Sequence, residues 1–146
     1  MNYEEQCEKL ILEGSTNMEF LDSEHEEMFN KLIERDNTRQ GDEERKAFFY
    51  IISSTDELYS QIDKLYDFDV NKIELNNYLE GRIMLTGGTS RMLYLAHHLY
   101  NGFSFKKIDK EKEDYDRSIL DVFAGLDENF YRVCINALHI RFGRMK

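Results

Sequence analysis

Apolar residues recur at intervals of three and four along most of this chain, which is the spacing of amphipathic helices rather than of strands. One predicted helix starts at Ser54 or Thr55 and carries its apolar stripe at positions i, i+4, i+7 and i+8: Leu58, Ile62, Leu65 and Tyr66. The 146 residues include no proline, so short breaks rich in Gly, Asn and Asp must separate the helices. We therefore predict a mainly α protein, a compact bundle of six or seven short helices.

Residues that can cap a helix precede most of these apolar stretches. A side-chain oxygen at such a position accepts a hydrogen bond from a backbone N–H that has no partner within the helix. Besides Ser54 or Thr55, the predicted capping residues are Asp22 or Ser23, Asp42, Thr89 or Ser90, and Asp127. The helix after Asp42 has the widest apolar surface, so we predict that it is the central helix of the core.

The remaining segments show weaker patterns. Phe68, Val70 and Ile73 alternate with polar residues, which allows a small extended segment or hairpin within residues 67–88. The Asn-Gly pair at residues 101–102 is predicted to end a helix in the left-handed conformation. Residues 106–117 are predicted to be a charged connector.

Nothing in the composition divides the chain into separate domains, because it has no low-complexity tract and no repeat. Cys7, Leu10 and Ile11 lie at helical spacing ahead of a Gly-Ser-Thr-Asn break. We predict an additional N-terminal helix in residues 1–17, followed by a single helical domain over residues 18–146.

The formal net charge of −10 is unevenly distributed. Residues 1–80 contain 21 acidic and 8 basic side chains, a net charge of −13, whereas residues 81–146 contain 8 and 11, a net charge of +3. Such an acidic chain is repelled by phosphate backbones, so direct nucleic-acid binding is disfavoured and a basic protein partner is favoured.

The sequence also predicts the compartment. Cys7 and Cys134 each lie in an apolar stretch and form no CxxC pair, which is typical of reduced cysteines in the core of a cytosolic protein. No apolar run approaches the roughly 18 residues of a membrane-spanning helix, and the N-terminus lacks the basic start of a signal peptide. We predict a cytoplasmic protein that does not contact a membrane.

Acidic side chains concentrate in the first third of the chain. Together they could imitate the charge of a phosphate backbone and occupy a basic groove on a protein that handles nucleic acids. The residues predicted to form this partner-binding surface are Glu24, Glu26, Glu27, Glu34, Asp36, Asp42, Glu43 and Glu44.

Several short motifs occur in a fixed order between Phe20 and Phe142. They are FLDSEH at residues 20–25, FY at 49–50, LYDF at 65–68, LYNG at 99–102 and ALHIRF at 137–142. With these motifs the chain resembles a family of short proteins from phages and conjugative elements of Firmicutes, a domain of unknown function.

The resemblance implies a role but no reaction. Small accessory proteins of mobile elements often bind and disable host machinery, and CRISPR effectors and other defence nucleases are typical targets. The leading hypothesis is therefore a non-enzymatic inhibitor of the anti-CRISPR kind, which binds a host effector protein with a basic groove, such as a CRISPR nuclease, through its acidic surface.

An alternative hypothesis is a metal-independent ribonuclease. Arg91 and His97 form an RxxxxxH pattern on one predicted helix, as in helical ribonucleases of toxin and defence systems. In such an enzyme the arginine would position a phosphate and the histidine would move the proton of a ribose 2′-hydroxyl.

A second alternative is a protein that sequesters a small anionic nucleotide. The glycine-rich run at Gly87, Gly88, Thr89, Ser90 and Arg91 leads directly into a helix. Free N–H groups at a helix start can hold an anion, although the spacing is not that of a nucleoside-triphosphate loop.

Metal binding is the last possibility that the residue types raise. His25 lies beside Glu24, Glu26 and Glu27 and could hold a metal with a carboxylate from another helix. Acidic residues at a helix start are equally expected from the helix dipole, so we predict no metal site and no cofactor.

Overall fold

The structure is a computed structural model that describes Asn2 and residues 18–144. The predicted N-terminal helix, with Cys7, lies outside the described residues. Within them the chain is mainly α-helical, as predicted, with a single pair of very short strands.

The described part of the chain contains nine α-helices and one 3-10 helix. The α-helices are α1 (Ser23–Asp36), α2 (Glu43–Ile52), α3 (Asp56–Tyr59), α4 (Ile62–Leu65), α5 (Asn76–Leu79), α6 (Gly87–Asn101), α7 (Phe105–Ile108), α8 (Ile119–Phe123) and α9 (Glu128–Arg141). The 3-10 helix is Lys110–Tyr115, and the strands are β1 (Tyr66–Asp67) and β2 (Lys72–Ile73). The count exceeds the predicted six or seven because the predicted helix after Thr55 is divided into α3 and α4. Short helices also form in segments that were not predicted to be helical, as α5 and α7.

The helix starts follow the predicted capping residues in four cases. The side chains of Asp22, Asp42, Thr55 and Asp127 each accept a hydrogen bond from the backbone N–H three residues ahead. Such a bond satisfies one of the N–H groups that the first turn leaves without a partner. Gly102 ends α6 with a φ of 71°, in the left-handed conformation that the Asn-Gly pair predicted.

The start of α6 differs from the prediction. The helix begins at Gly87, and Thr86 rather than Thr89 or Ser90 is its capping residue. Thr86 and Thr89 form a reciprocal capping box, in which the Thr89 hydroxyl accepts a hydrogen bond of 2.8 Å from the Thr86 N–H. Because the two threonines complete each other's hydrogen bonds, the helix gains one further turn at its N-terminus.

The prediction of a single helix from Thr55 to Tyr66 is also wrong. The helix ends at Tyr59, and a second helix, α4, carries Ile62 and Leu65. The Gln61 side chain explains the break, because its amide donates to Met84 O at 2.9 Å and accepts from Met84 N at 2.6 Å. Tyr66 belongs to β1 instead of the helical stripe.

A short hairpin forms where the sequence allowed one, although it starts one residue earlier. Strands β1 and β2 are antiparallel, with Tyr66 opposite Ile73 and Asp67 opposite Lys72. Asn71 lies in the turn with a φ of 56°, a left-handed conformation that Asn tolerates better than most residues.

Residues 106–117, predicted to be a charged connector, fold into short helical turns. They include part of α7 and the 3-10 helix, and Asp116 ties them to the preceding loop. The Asp116 carboxylate accepts hydrogen bonds from the Ser104 hydroxyl at 2.7 Å and from the Phe105 N–H at 2.5 Å. This local network holds the charged residues in compact turns.

Helix α2 is the centre of the core, as its apolar surface predicted. All six residues from 47 to 52 are inaccessible to solvent. Helices α6 and α9 pack most extensively against α2, and α1 also contacts it. No helix in the described residues is both long enough and apolar enough to cross a membrane.

Candidate interaction surface

Helix α1 presents carboxylates to solvent along its length, spread over nearly half of its circumference, and we call them the acidic row. Its inward side chains, His25, Phe29, Leu32 and Asp36, are buried. Its outward side chains include four exposed acids, Glu24, Glu26, Glu27 and Glu34. At about 1.5 Å of rise per residue, these four span about 15 Å along the helix. The buried side fixes the orientation of the acidic side.

The two basic residues of α1 neutralise this row only in part. Lys31 lies 3.3 Å from Glu27, but both side chains are more than half exposed, so water screens the pair. Arg35 lies away from the row: its guanidinium stacks 3.8 Å above the Phe68 ring and donates to Asp63 at 2.6 Å. Glu24, Glu26 and Glu34 have no ion-pair partner among the described residues.

The hairpin adds acidic residues that sequence reasoning missed. Asp63, Asp67, Asp69 and Glu74 line an open pocket of about 310 Å³ together with Arg35 and Phe68. They were counted in the acidic half of the chain, but only the fold of α4 and the hairpin brings them beside the C-terminal end of α1. We call the exposed acids of α1 together with Asp63, Asp67 and Asp69 the acidic surface.

Asp36, which was predicted to belong to the partner-binding surface, is in the interior. It is 2 % exposed and accepts hydrogen bonds from the Tyr66 hydroxyl at 2.5 Å and from the Asn71 amide at 3.0 Å. The Thr38 hydroxyl and the Arg45 guanidinium contact its second oxygen. Asp36 therefore joins α1 to the hairpin and is not available to a partner.

Asp42, Glu43 and Glu44, unlike most of the exposed acids of α1, lie close to basic residues. Asp42 caps α2 and lies 3.3 Å from the Arg45 guanidinium, and Glu44 lies 3.4 Å from Arg141 of α9. The three acids share an open pocket of about 540 Å³ with Arg39 and Arg141. This part of the surface is mixed in charge, so it differs from the acidic row on α1.

The two residues of the ribonuclease hypothesis do not meet. They are six positions apart on α6, a rotation of about 240° beyond a full turn, which places them on different sides of a straight helix. His97 is 1 % exposed and lies among the rings of Phe48, Tyr78 and Phe103. Neither its ring nitrogens nor Arg91 Nε has a hydrogen-bond partner within the described part of the chain. A buried imidazole of this kind is unsuited to proton exchange with a substrate.

Burial also lowers the pKa of His97, to about 3, because the charged imidazolium would lose its hydration. As the pH falls from about 6.5 toward 5, the unfolded chain therefore gains a proton at His97 that the folded protein does not. This proton uptake lowers the free energy of unfolding by up to about 1.4 kcal/mol per pH unit.

We expect the substitution His97→Leu to reduce this acid sensitivity while keeping stability at pH 7. Leucine has a similar size and leaves no buried nitrogen without a partner. Urea denaturation at pH 7, 6 and 5 measures the effect. Some acid sensitivity should persist, because burial also lowers the pKa of His25. The prediction is contradicted if the free energy of unfolding of the variant falls with pH as steeply as that of the original protein.

The glycine-rich run is closed by its own hydrogen bonds and by packing. Thr89 is buried and its hydroxyl is engaged with Thr86, while Gly88 packs so closely against Phe130 that an added Cβ would lie 3.0 Å from its ring. Gly87 and Ser90 are more open, and Ser90 accepts a hydrogen bond from Arg117 at 3.2 Å. The capping box therefore occupies donors that an anion would need.

His25 uses both ring nitrogens inside the protein. Nδ1 accepts from the Leu21 N–H at 3.2 Å, and Nε2 donates to Tyr50 O at 2.9 Å. Burial lowers its pKa, which keeps the ring neutral. Within residues 18–144, no group of three or more His, Cys, Asp and Glu side chains is arranged to hold a metal ion.

Comparison with known families gives one result. The profile of the family of unknown function DUF6075 matches residues 15–146. The chain belongs to this family. The match includes all nine described α-helices and the whole acidic surface, so both are features of a DUF6075 protein. No curated protein and no solved structure matches the chain significantly.

Proposed function

We propose that this DUF6075 protein is a non-enzymatic accessory protein of a phage or conjugative element, which binds a host protein through the acidic surface. The partner is a nucleic-acid-handling or defence protein with a basic groove, such as a CRISPR nuclease. Binding there would exclude the nucleic acid and inhibit the effector.

One observation carries the proposal: the exposed carboxylates of α1 stand in a row that nearby cations leave largely unneutralised. Arg35, one of the two basic residues of the helix, is held against Phe68 and Asp63. The acids of the hairpin extend the negative charge beyond that arginine. Such a surface attracts a basic groove over a distance of several ångströms and raises the rate of association.

The rigidity of the surface supports binding as well. Phe29 and Leu32 anchor α1 in the core, and the Asp36 network fixes its C-terminal end to the hairpin. A surface that is ordered before binding loses less conformational entropy when the partner arrives. The burial of His97 disfavours the ribonuclease alternative, and the closed capping box at Thr86 disfavours the alternative that sequesters an anionic nucleotide.

The test measures binding and inhibition with the full-length protein. CRISPR effector nucleases are captured on the tagged protein at about 0.05 M and about 0.5 M NaCl, since the higher ionic strength shortens the screening length about threefold. We expect capture at low salt that is reduced at high salt, together with inhibition of nucleic-acid cleavage by the captured nuclease.

Two variants with the same change in net charge locate the binding surface. The first replaces the four exposed acids of α1, as E24Q/E26Q/E27Q/E34Q, and should weaken inhibition at least about tenfold. The second replaces four exposed acids elsewhere, as E80Q/E111Q/D114N/D121N, and should retain inhibition. Equal loss in the two variants, or full inhibition by the first, would refute the assignment of the surface.

A further inference from the structure

Helix α9 has a second apolar side that the core covers only in part, because Leu138 packs against the core but keeps some exposed surface. Cys134, Ala137 and Ile140 are buried against the core. On the outer side, four apolar residues follow the i, i+4, i+7, i+11 spacing of one helical stripe: Tyr131, Ile135, Leu138 and Phe142. Tyr131 is 48 % exposed and Phe142 is 64 % exposed, which is unusual for large side chains in one row.

Helix α8 widens this outer stripe at one end. The ring of Phe123 lies 5.7 Å from the ring of Tyr131. The same short helix carries Ile119 and Leu120, which are 70 % and 76 % exposed. The contact of Phe123 with Tyr131 therefore places the exposed apolar residues of α8 near one end of the stripe on α9.

The charges beside the stripe differ between its two ends. Glu128 is exposed at the N-terminal end of α9, beyond the capping carboxylate of Asp127. His139 and Arg144 are exposed at the C-terminal end. Neither Glu128 nor Arg144 has an ion-pair partner among the described residues. Arg132 is also exposed at the N-terminal end, but Asp127 and Glu128 outweigh it there, so the stripe has a net negative charge at one end and a net positive charge at the other.

We propose that this stripe binds a second copy of the same chain, with the two α9 helices antiparallel about a twofold axis. Only an antiparallel pair brings the acidic end of each helix to the basic end of the other. The same arrangement opposes the two helix dipoles favourably. An interface in which one surface meets itself is the usual form of a closed homodimer.

The sequence spacing predicts the contacts of this pair. Centring the twofold axis on the stripe places Tyr131 against Phe142 of the second copy, and Ile135 against Leu138 of the second copy. Glu128 then approaches Arg144 of the second copy at each end. Because α9 belongs to the basic half of the chain, the acidic surface on α1 does not need to take part, and this inference stands independently of the proposed function.

Analytical ultracentrifugation of the full-length protein tests the oligomeric state. We expect a concentration-dependent dimer with a Kd of about 1–100 µM, as is typical of a small interface. The substitution Ile135→Lys should weaken dimerisation by at least about 100-fold, since it places two charges in the centre of the apolar contact. The matched control, Met84→Lys, changes a side chain that is 77 % exposed outside the stripe and should leave the dimer intact.

A charge exchange tests the antiparallel orientation. Glu128→Arg and Arg144→Glu should each weaken the dimer by about three- to tenfold, because each places like charges together at both ends. The double variant E128R/R144E should restore the original Kd. Circular dichroism confirms that every variant keeps its helical content.

Three results would overturn the proposal. They are a monomer up to several hundred micromolar, a dimer that persists in Ile135→Lys, or a double variant that is weaker than either single variant. The last result would show a pair of copies that is not antiparallel along α9.

Discussion

Replacing Asp36 with alanine should lower the free energy of unfolding by about 3–5 kcal/mol, because it removes the acceptor at the centre of a buried network. The Tyr66 hydroxyl and the Asn71 amide would lose their partner in the interior, and Arg45 would lose its buried counter-charge. A buried donor without a partner destabilises the folded state, because it has lost its hydrogen bonds to water and gains none in return. Urea denaturation of the variant and the original protein measures the difference.

Asp63→Ala is the matched control for this prediction. It also removes an aspartate that pairs with an arginine, but the Asp63 side chain is 74 % exposed and its pair with Arg35 is screened by water. We expect a loss of no more than about 1 kcal/mol. Asp36→Asn keeps one acceptor oxygen, so its loss of stability should lie between those of Asp36→Ala and Asp63→Ala. If Asp36→Ala and Asp63→Ala cost the same, Asp36 does not hold α1 to the hairpin.

Replacing Phe49 with alanine should destabilise the protein by a similar amount, about 3–5 kcal/mol, for a different reason. Phe49 lies in the centre of α2 with no exposed surface, and its ring packs 4.9 Å from Tyr66 and 6.2 Å from Phe68. Truncation leaves a cavity between α2 and the hairpin that the rigid core can fill only in part. Thermal and urea denaturation report the loss.

Two companion variants keep this second prediction testable. Phe49→Leu removes less volume and should cost less than Phe49→Ala, so it provides a measurement if the alanine variant fails to fold. Leu120→Ala truncates a side chain that is 76 % exposed and should change stability by less than about 0.5 kcal/mol. A loss at Phe49 no greater than that at Leu120 would contradict the central position of α2.

The features that were predicted correctly depend on neighbouring residues. A capping carboxylate such as Asp22, Asp42 or Asp127 acts on an N–H three residues away, so both partners are visible in the sequence. The same is true of Gly102, whose left-handed conformation depends on its own lack of a side chain. The central position of α2 was also visible, because an apolar surface that wide must be covered on several sides.

Two of the errors share a cause, which is that the deciding partner is far away along the chain. Asp36 was grouped with the exposed acids, but its partners Tyr66 and Asn71 lie 30 and 35 residues later. The helix after Thr55 looked continuous until the Gln61 side chain met the backbone of Met84, 23 residues away. A periodic pattern shows that one side of a helix is buried, but it does not show which polar residue has a partner there.

The acidic surface likewise depends partly on composition and partly on the fold. The excess of acidic residues before residue 80 is a property of composition, and any fold of this chain must place most of that charge at its surface, because burying an unpaired charge is costly. Composition did not decide which acids stand together. The fold buried Asp36, gave Asp42 and Glu44 basic neighbours, and brought Asp63 and the hairpin acids beside α1.

The sequence by itself thus determined a mainly helical protein, the capping residues of four helices, its central helix and its opposite charges before and after residue 80. Those properties arise from interactions within a few residues or from composition alone. Only the tertiary structure decided that His97 is buried, that the acidic row on α1 is exposed and that α9 has an apolar side that the core covers only in part. Burial and charge pairing depend on which distant segments pack together, and local spacing does not contain that information.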